Sequence, residues 1–476
     1  MQKKGTAMRS VRQRRTATVA ALLAVVALVA AGCGGSDNSG DKSTGGQDAP
    51  GADALDKASG VTKVTFWHGM KGANGEAVDK LVKAFNAANA GKIEVTAVYQ
   101  GDYDDTITKY KTSVQQGNTP SVVQIYDIGS RFMIDSKQTV PVQSFADKDG
   151  YTLDSIEPNI ANYYSIDGKL NSMPFNTSMP LLYINKEAFV KAGLDPNKPP
   201  TNLDEIMAAA KKLTVKQGGK TVQYGFNAAI YGWFMEQLIA QSGTTYCDNE
   251  NGRKDLATKV NFDGEQGVKI ATWYQQMVKD GYMPNTGKKT DDAQAVFKSG
   301  TSAMHLESTG SLRGYINAAK GKFTVLTAPF PKLSAADTGG PIIGGASLWV
   351  DGPGHSDAEK RASWEFVKFA SSPEQQAAWH TGTGYFPINS KALDLPADKA
   401  WVAQYPQFTT AITQLHNTKP SNASSGCILG VMPQARKAAE DGLEKAVLGS
   451  DPQKAMTDAA ASIKPQIDQY NKTVKK

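Results

Sequence analysis

Aromatic side chains gather where the chain is expected to turn. Trp67, Tyr103, Tyr126, Tyr163, Tyr164, Tyr231, Trp233 and Tyr385 all stand in loop-like surroundings. Several follow glycine or close a strand, as in Gly101-Asp102-Tyr103, Gly232-Trp233 and Gly384-Tyr385, positions from which a ring reaches a cleft. Such arrays stack on sugars and attract cationic head groups through their ring faces. Taken singly, any one of them is more often core than site.

Groups that make or break bonds are harder to find. His68, His305, His355, His380 and His416 are scattered, with no HExxH and no pair at metal-ligand spacing. Asp104-Asp105 and Asp291-Asp292 read as solvated helix starts. No G-x-S-x-G elbow is present, and Gly339-Gly340 and Gly344-Gly345 lack the Lys-Ser/Thr that completes a phosphate loop. No metal, cofactor or catalytic role is expected.

The third source of chemistry is thiol. Residues 1–15 carry Lys3, Lys4, Arg9, Arg12, Arg14 and Arg15 and no acid, and an apolar run over 19–31 ends at Gly32-Cys33. This is the layout of an export signal, too short to span a bilayer. Its exit, Ala30-Ala31-Gly32-Cys33, resembles a bacterial lipobox, in which the cysteine is acylated and becomes the mature N-terminus. Arg14-Arg15 has flanks that match a twin-arginine signal poorly. The six basic residues equal the whole formal charge of +6, so the exported chain is neutral overall and nucleic acid is not an expected partner. Cys247 and Cys427 remain; in an oxidising compartment they either pair or stay as inert thiols.

The elements that position these residues follow from periodicity. Residues 34–60 are rich in Gly, Ser, Asp and Ala and read as a flexible tether. Strands are expected over 64–67, 93–99 and 121–126, the last continuously apolar as in a sheet buried on both faces. Val78, Leu81, Val82 and Phe85 mark one face of a helix between the first two. The alternation indicates an α/β lobe with a largely parallel sheet. It restarts with a strand over 181–184, helices over 186–192, 201–213, 234–241 and 264–279, and strands over 322–327 and 342–350; helices over 434–447 and 452–474 follow. A folded body of this length suits two lobes. The expected division is a signal over 1–32, a tether over 33–60, a first lobe over 61–175 and 330–387, and a second over 176–329 and 388–476. Ligands of such sheets bind at the carboxyl ends of strands, here in a cleft between lobes.

At these loops the chain resembles the extracytoplasmic solute-binding proteins of ABC importers, the branch that includes maltose-binding proteins. Within it, the chain is similar to binders of glycerol 3-phosphate and glycerophosphodiesters. The segments that carry the likeness are FWHGM (66–70), GDY (101–103), QIYDIG (124–129), PFNTSMPLLYINKEAFVKAGLDP (174–196), YGW (231–233), STGSL (308–312), IIGGASLWV (342–350), TGYFPI (383–388) and MPQAR (432–436). The resemblance implies a two-lobed, hinged, periplasmic-binding-protein-like α/β fold. It implies a monomer that hands a small ligand to a membrane permease and is held at the outer face of the membrane through Cys33.

Residue by residue, it places ligand contacts on Tyr103, Asp127, Ser178, Trp233, Ser308, Gly345, Tyr385 and Arg436. A phosphodiester wants a guanidinium fork, hydroxyls and backbone N–H donors; Arg436, Ser308, Gly345 and Tyr385 supply that set. Asp127 suits glycerol hydroxyls, with Tyr103 and Ser178 beside it. Ile230 stands where glycerol 3-phosphate binders of this type carry a second Trp. Losing an indole there is expected to widen the phosphate side and to favour a phosphodiester such as glycerophosphocholine, with Trp233 facing the choline. The rivals are a neutral oligosaccharide binder on the same fold, which gives Arg436 no role, and a secreted phosphodiesterase.

Overall fold

The computed structural model describes residues 48–475. The expected signal over 1–32, the lipidation site Cys33 and most of the tether lie outside the described residues. The tether is nevertheless shorter than expected. Asp53–Asp56 forms a helical turn, Ala49 and Ala54 are buried, and Lys148 Nζ donates to the Ala49 carbonyl at 2.8 Å. A composition of small residues reads as flexible, but alanines lose no side-chain entropy on burial and fit a narrow groove.

Two sheets organise the chain. The strands of the first are β1 (Thr62–His68), β2 (Ile93–Tyr99), β3 (Val122–Tyr126), β4 (Thr139–Val140) and β5 (Met173–Ser178). The second is built from β6 (Pro180–Asn185), β7 (Met304–Ser308) and β8 (Val325–Pro329), after which β9 (Gly344–Asp351) returns to the first. The helices used below are α1 (Gly72–Ala88), α2 (Tyr103–Gln116), α3 (Gly232–Gln241), α4 (Glu265–Lys279), α5 (Thr290–Lys298), α6 (Pro373–Thr383), α7 (Met432–Val447) and α8 (Pro452–Val474).

The first sheet runs β2-β1-β3-β9-β4, with β5 also paired to β9. β1 is parallel to β2 and β3, as the alternation of strands and helices predicts. β9 is antiparallel to β3, β4 and β5, because it enters from the other sheet rather than through a crossover helix. In the second sheet β6 lies between β7 and β8, and both pairings are antiparallel. The expectation of parallel strands therefore holds only for the first half of the first sheet.

One residue, Met179, separates β5 from β6, so the chain steps directly from one sheet to the other there. It steps back between β8 and β9. At the second crossing Gly345 has φ +93°, and a Cβ on it would lie 1.9 Å from the Asn176 carbonyl oxygen. Only glycine lets the two crossing strands approach this closely. The ladder between β9 and β5 shifts register just beyond, between Ala346 and Ser347.

The cysteine alternative is resolved as a bond. Cys247 and Cys427 form a disulfide with a Cα–Cα distance of 6.0 Å across a sequence separation of 180. It ties the turn after α3 to the loop that leads into α7.

Candidate functional site

β3 is buried along its whole length and ends at Tyr126, which delivers Asp127 to the carboxyl edge of the sheet. β1 ends beside it and opens into Gly69-Met70-Lys71. α2 starts with a capping box: Asp102 accepts from the Asp105 N–H, and Asp105 accepts from the Asp102 N–H. That box fixes Tyr103 at the first helical position, facing the same edge. From the other sheet come Glu307 and Ser308 at the end of β7, Tyr231 and Trp233 at the start of α3, and Arg436 and Glu440 one turn apart on α7.

Together these residues wall a cavity of about 580 Å³ between the two sheets. Tyr103, Asp127, Ser178, Trp233, Ser308, Gly345, Tyr385 and Arg436 all line it. Ile230 does not. Its side chain is buried in the apolar core and its N–H donates to the Gly287 carbonyl at 2.9 Å. Ile230 therefore takes no part in the lining, which Tyr231 and Trp233 make there.

One group of lining residues is polar and neutral. Gly69 N–H donates to Gln124 Oε1 at 2.9 Å, Gln124 Nε2 to Asn176 Oδ1 at 2.7 Å, and Asn176 Nδ2 to Tyr103 Oη at 2.7 Å. Tyr385 Oη follows at 3.5 Å from Tyr103 Oη. Because Asn176 donates, the Tyr103 hydroxyl is left with its own proton to give. Burial pushes the Tyr103 and Tyr385 phenols above their usual range, so both stay neutral donors. Ser308 Oγ accepts from the Gly310 N–H at 3.1 Å. Trp233, 4% exposed, has an Nε1–H with no partner among the described residues, and its ring fits only because position 344 is glycine.

A second group of lining residues is charged. Arg436 is 5% exposed. Its Nε and Nη2 donate to Glu236 Oε2 at 3.0 and 2.6 Å, and Nη2 also donates to Asp127 Oδ2 at 3.0 Å. Burial works against the guanidinium charge, but Asp127 and Glu236 outweigh it and hold the proton more tightly than usual. Burial raises the Asp127 carboxyl despite Arg436. The expected guanidinium fork is thus already engaged: the edge a bidentate anion would use is occupied, and Nη1 alone has no protein partner among the described residues. Lys288 is likewise engaged, by Asp441 at 2.5 Å and Glu444 at 2.7 Å. Lys71 meets Asp291 at 2.5 Å across the cavity mouth, joining the loop after β1 to the first turn of α5.

Glu236, Gln124 and Asn176 were not singled out from the sequence. Gln124 and Asn176 lie inside the segments QIYDIG and PFNTS but carry no charge to draw notice. Glu236 had a readable signal. It is the one carboxylate in GWFMEQLIAQ, a helix in which every residue is buried, and a carboxylate in such a helix must be paired.

The fold and the cleft define a class: a two-lobed binding protein whose ligand site lies between sheets. The model for bacterial extracellular solute-binding proteins matches residues 80–410, and the chain belongs to that family. Among its relatives is the sn-glycerol-3-phosphate-binding periplasmic protein UgpB of Escherichia coli K12, 33% identical over 433 residues, 90% of this chain and 97% of the relative. UgpB from Mycobacterium tuberculosis, solved in complex with glycerophosphocholine, superposes with a TM-score of 0.73 at 22% identity, over 86% of this chain and 99% of that one. A cyclic alpha-maltosyl-1,6-maltose binding protein from Arthrobacter globiformis gives 0.66 at 22% identity, with the same coverage.

Two cavity carboxyls titrate near neutrality. Burial raises Glu307 and Glu440 to about 7 from an ordinary 4.5. Between those values the folded chain holds a proton on Glu307 that the unfolded chain lacks, so stability falls as pH rises through the window. Glu307→Gln mimics the neutral form. It is expected to change stability little at pH 5 and to raise it at pH 8, by roughly 3 kcal/mol at most. Thermal unfolding of both proteins at the two pH values checks this; an equal change at both pH values contradicts it.

Proposed function

We propose that the protein captures a zwitterionic glycerophosphodiester, of which glycerophosphocholine is the type, and passes it to the permease of an ABC importer. The observation that carries the reading is the compensation of Arg436 by Asp127 and Glu236. An arginine paired with two carboxylates, one in the wall and one behind it, forms a cluster with net negative charge. It repels a dianionic phosphomonoester and tolerates a phosphodiester, which carries a single negative charge and in glycerophosphocholine a balancing cation.

Nη1 of Arg436 and the hydroxyls of Tyr103, Tyr385 and Ser308 are the donors offered to the phosphate. Tyr126, which donates to Asp104 Oδ1 at 2.7 Å, stands with Tyr231 and Glu440 on the same wall. Aromatic faces beside carboxylates suit a quaternary ammonium. Of the known relatives, the one solved with glycerophosphocholine supports the diester, while the one named for sn-glycerol 3-phosphate shares only the glycerol and phosphate groups with it.

The action is capture without hydrolysis, by closure of the two lobes over the ligand. We place the protein outside the cytoplasm as a monomer, tethered through acylated Cys33 beside its permease, where the anchor raises its local concentration. Among the described residues no helix is long and apolar enough to cross a membrane. The mass of the mature N-terminal peptide tests the anchor: it should exceed the polypeptide mass by a diacylglyceryl group on Cys33, and an unmodified cysteine contradicts it.

Calorimetric titration of the chain from residue 34 onward with glycerophosphocholine, sn-glycerol 3-phosphate and maltose tests the ligand. Glycerophosphocholine should bind at least tenfold tighter than the monoester, and Arg436→Ala should abolish that binding. Maltose binding that survives Arg436→Ala would replace this reading with a neutral sugar, and release of choline would replace capture with hydrolysis.

A further inference from the structure

A second structure supports the arginine from behind. Glu236 is 1% exposed and lies outside the cavity wall. Its Oε2 takes both donors from Arg436, while its Oε1 accepts the backbone N–H of Cys427 at 3.0 Å. The carboxylate is therefore clamped between the arginine and one residue of an irregular loop.

That loop is held with unusual effort. Cys427 is disulfide-bonded to Cys247. Ile428 N–H donates to the Asn251 carbonyl at 2.9 Å, and Asn251 Nδ2 donates to the Asn422 carbonyl at 2.7 Å. Arg253 donates to the carbonyls of Ser425 and Gly426. The segment that makes these contacts carries three consecutive non-glycine residues in the left-handed region, Asn249 (φ +51°), Glu250 (φ +56°) and Asn251 (φ +62°). Backbone strain of this kind persists where the surroundings enforce it, and it concentrates at sites that need a fixed geometry. No cavity residue lies in this strained turn; its reach into the cleft runs through Cys427 and Glu236.

We infer that Glu236 is the positioning residue of the ligand-binding arginine, and that the Cys247–Cys427 bond sets ligand affinity by holding the Cys427 N–H against Glu236. This rests on the reading that Arg436 Nη1 donates to the ligand. With the Nε–Nη2 edge fixed, only one orientation of the guanidinium plane remains, and it aims Nη1 at the cleft. Loss of the Glu236 charge leaves Asp127 as the sole partner, and the plane turns toward the first sheet. Reduction of the disulfide to two thiols frees the Cys427 loop and loosens the same clamp by a different route.

The experiment compares wild type, Glu236→Gln, Arg436→Ala, the double variant Glu236→Gln/Arg436→Ala, and Cys247→Ser/Cys427→Ser. Each is titrated with glycerophosphocholine, and the Arg436 Nε–H resonance is followed by nitrogen-15 NMR. Glu236→Gln should weaken binding at least tenfold and displace the Arg436 resonance. The double variant should bind no more weakly than Arg436→Ala alone, since the two residues act as one unit. The serine pair leaves Glu236 intact and should weaken binding several-fold with the same displacement; it decides the matter if Glu236→Gln does not fold. Binding by Glu236→Gln within twofold of wild type, additive losses, or an unmoved Arg436 resonance would overturn the proposal. If wild type binds no ligand, the phosphodiester reading falls, and the resonance still decides whether Glu236 positions the arginine.

Discussion

A guanidinium buried between two carboxylates from different parts of the fold is the constraint around which this cleft is built. Desolvating an arginine is costly, and losing one partner of such a pair costs on the order of 3–5 kcal/mol. The surrounding sequence is shaped accordingly. Gly232 lies against Arg436, where a Cβ would come within 2.8 Å of the arginine Cβ, so α3 and α7 pack at a separation only glycine permits. The Gly232 N–H in turn donates to Glu440 Oε1 at 2.8 Å, which gives the start of α3 the cap its own residues lack. Asp127 reaches the arginine because β3 ends one residue earlier. The arginine thus fixes the distance between the edge of the first sheet and the helices of the second.

The hinge and the cleft share atoms. Asn176 sits in β5, one strand turn before the step at Met179; its carbonyl is the group that forbids a side chain at Gly345, and its amide orients Tyr103. A change in crossing angle between β5 and β9 therefore moves a cleft donor directly. Across the mouth, Lys71 with Asp291 and Asn74 with the Gly310 carbonyl join the two sides. The Lys71–Asp291 pair is exposed on both sides and adds little stability.

Much of this was legible in the sequence. The continuous apolar run of β3 and the helical stripe Val78-Leu81-Val82-Phe85 indicated the first sheet, because they depend on local periodicity. The antiparallel second sheet was not legible, since β6 pairs with both β7 and β8 across more than a hundred residues. The strand expected over 322–327 runs instead over Val325–Pro329, because Lys322 and Phe323 still donate back to Ala319 and finish a helix. All eight expected contacts line the cavity. Ile230 faces the core, and the Arg436 fork is already engaged, with Nη1 alone lacking a protein partner among the described residues. Which way a side chain points, and what has already bonded to it, depends on neighbours distant in the chain. Glu236 was readable but was not singled out: it is the one charge in a wholly buried helix and so requires a partner.

The most direct measurement is a crystal structure of the complex with glycerophosphocholine. The account predicts a phosphate oxygen within hydrogen-bond distance of Arg436 Nη1, with the Glu236–Arg436 pair unchanged and the choline among Tyr126, Tyr231 and the carboxylates of Asp104 and Glu440. A phosphate bound away from Arg436, on Lys288 or Lys71, or an arginine that has left Glu236 to grasp it, would contradict the account.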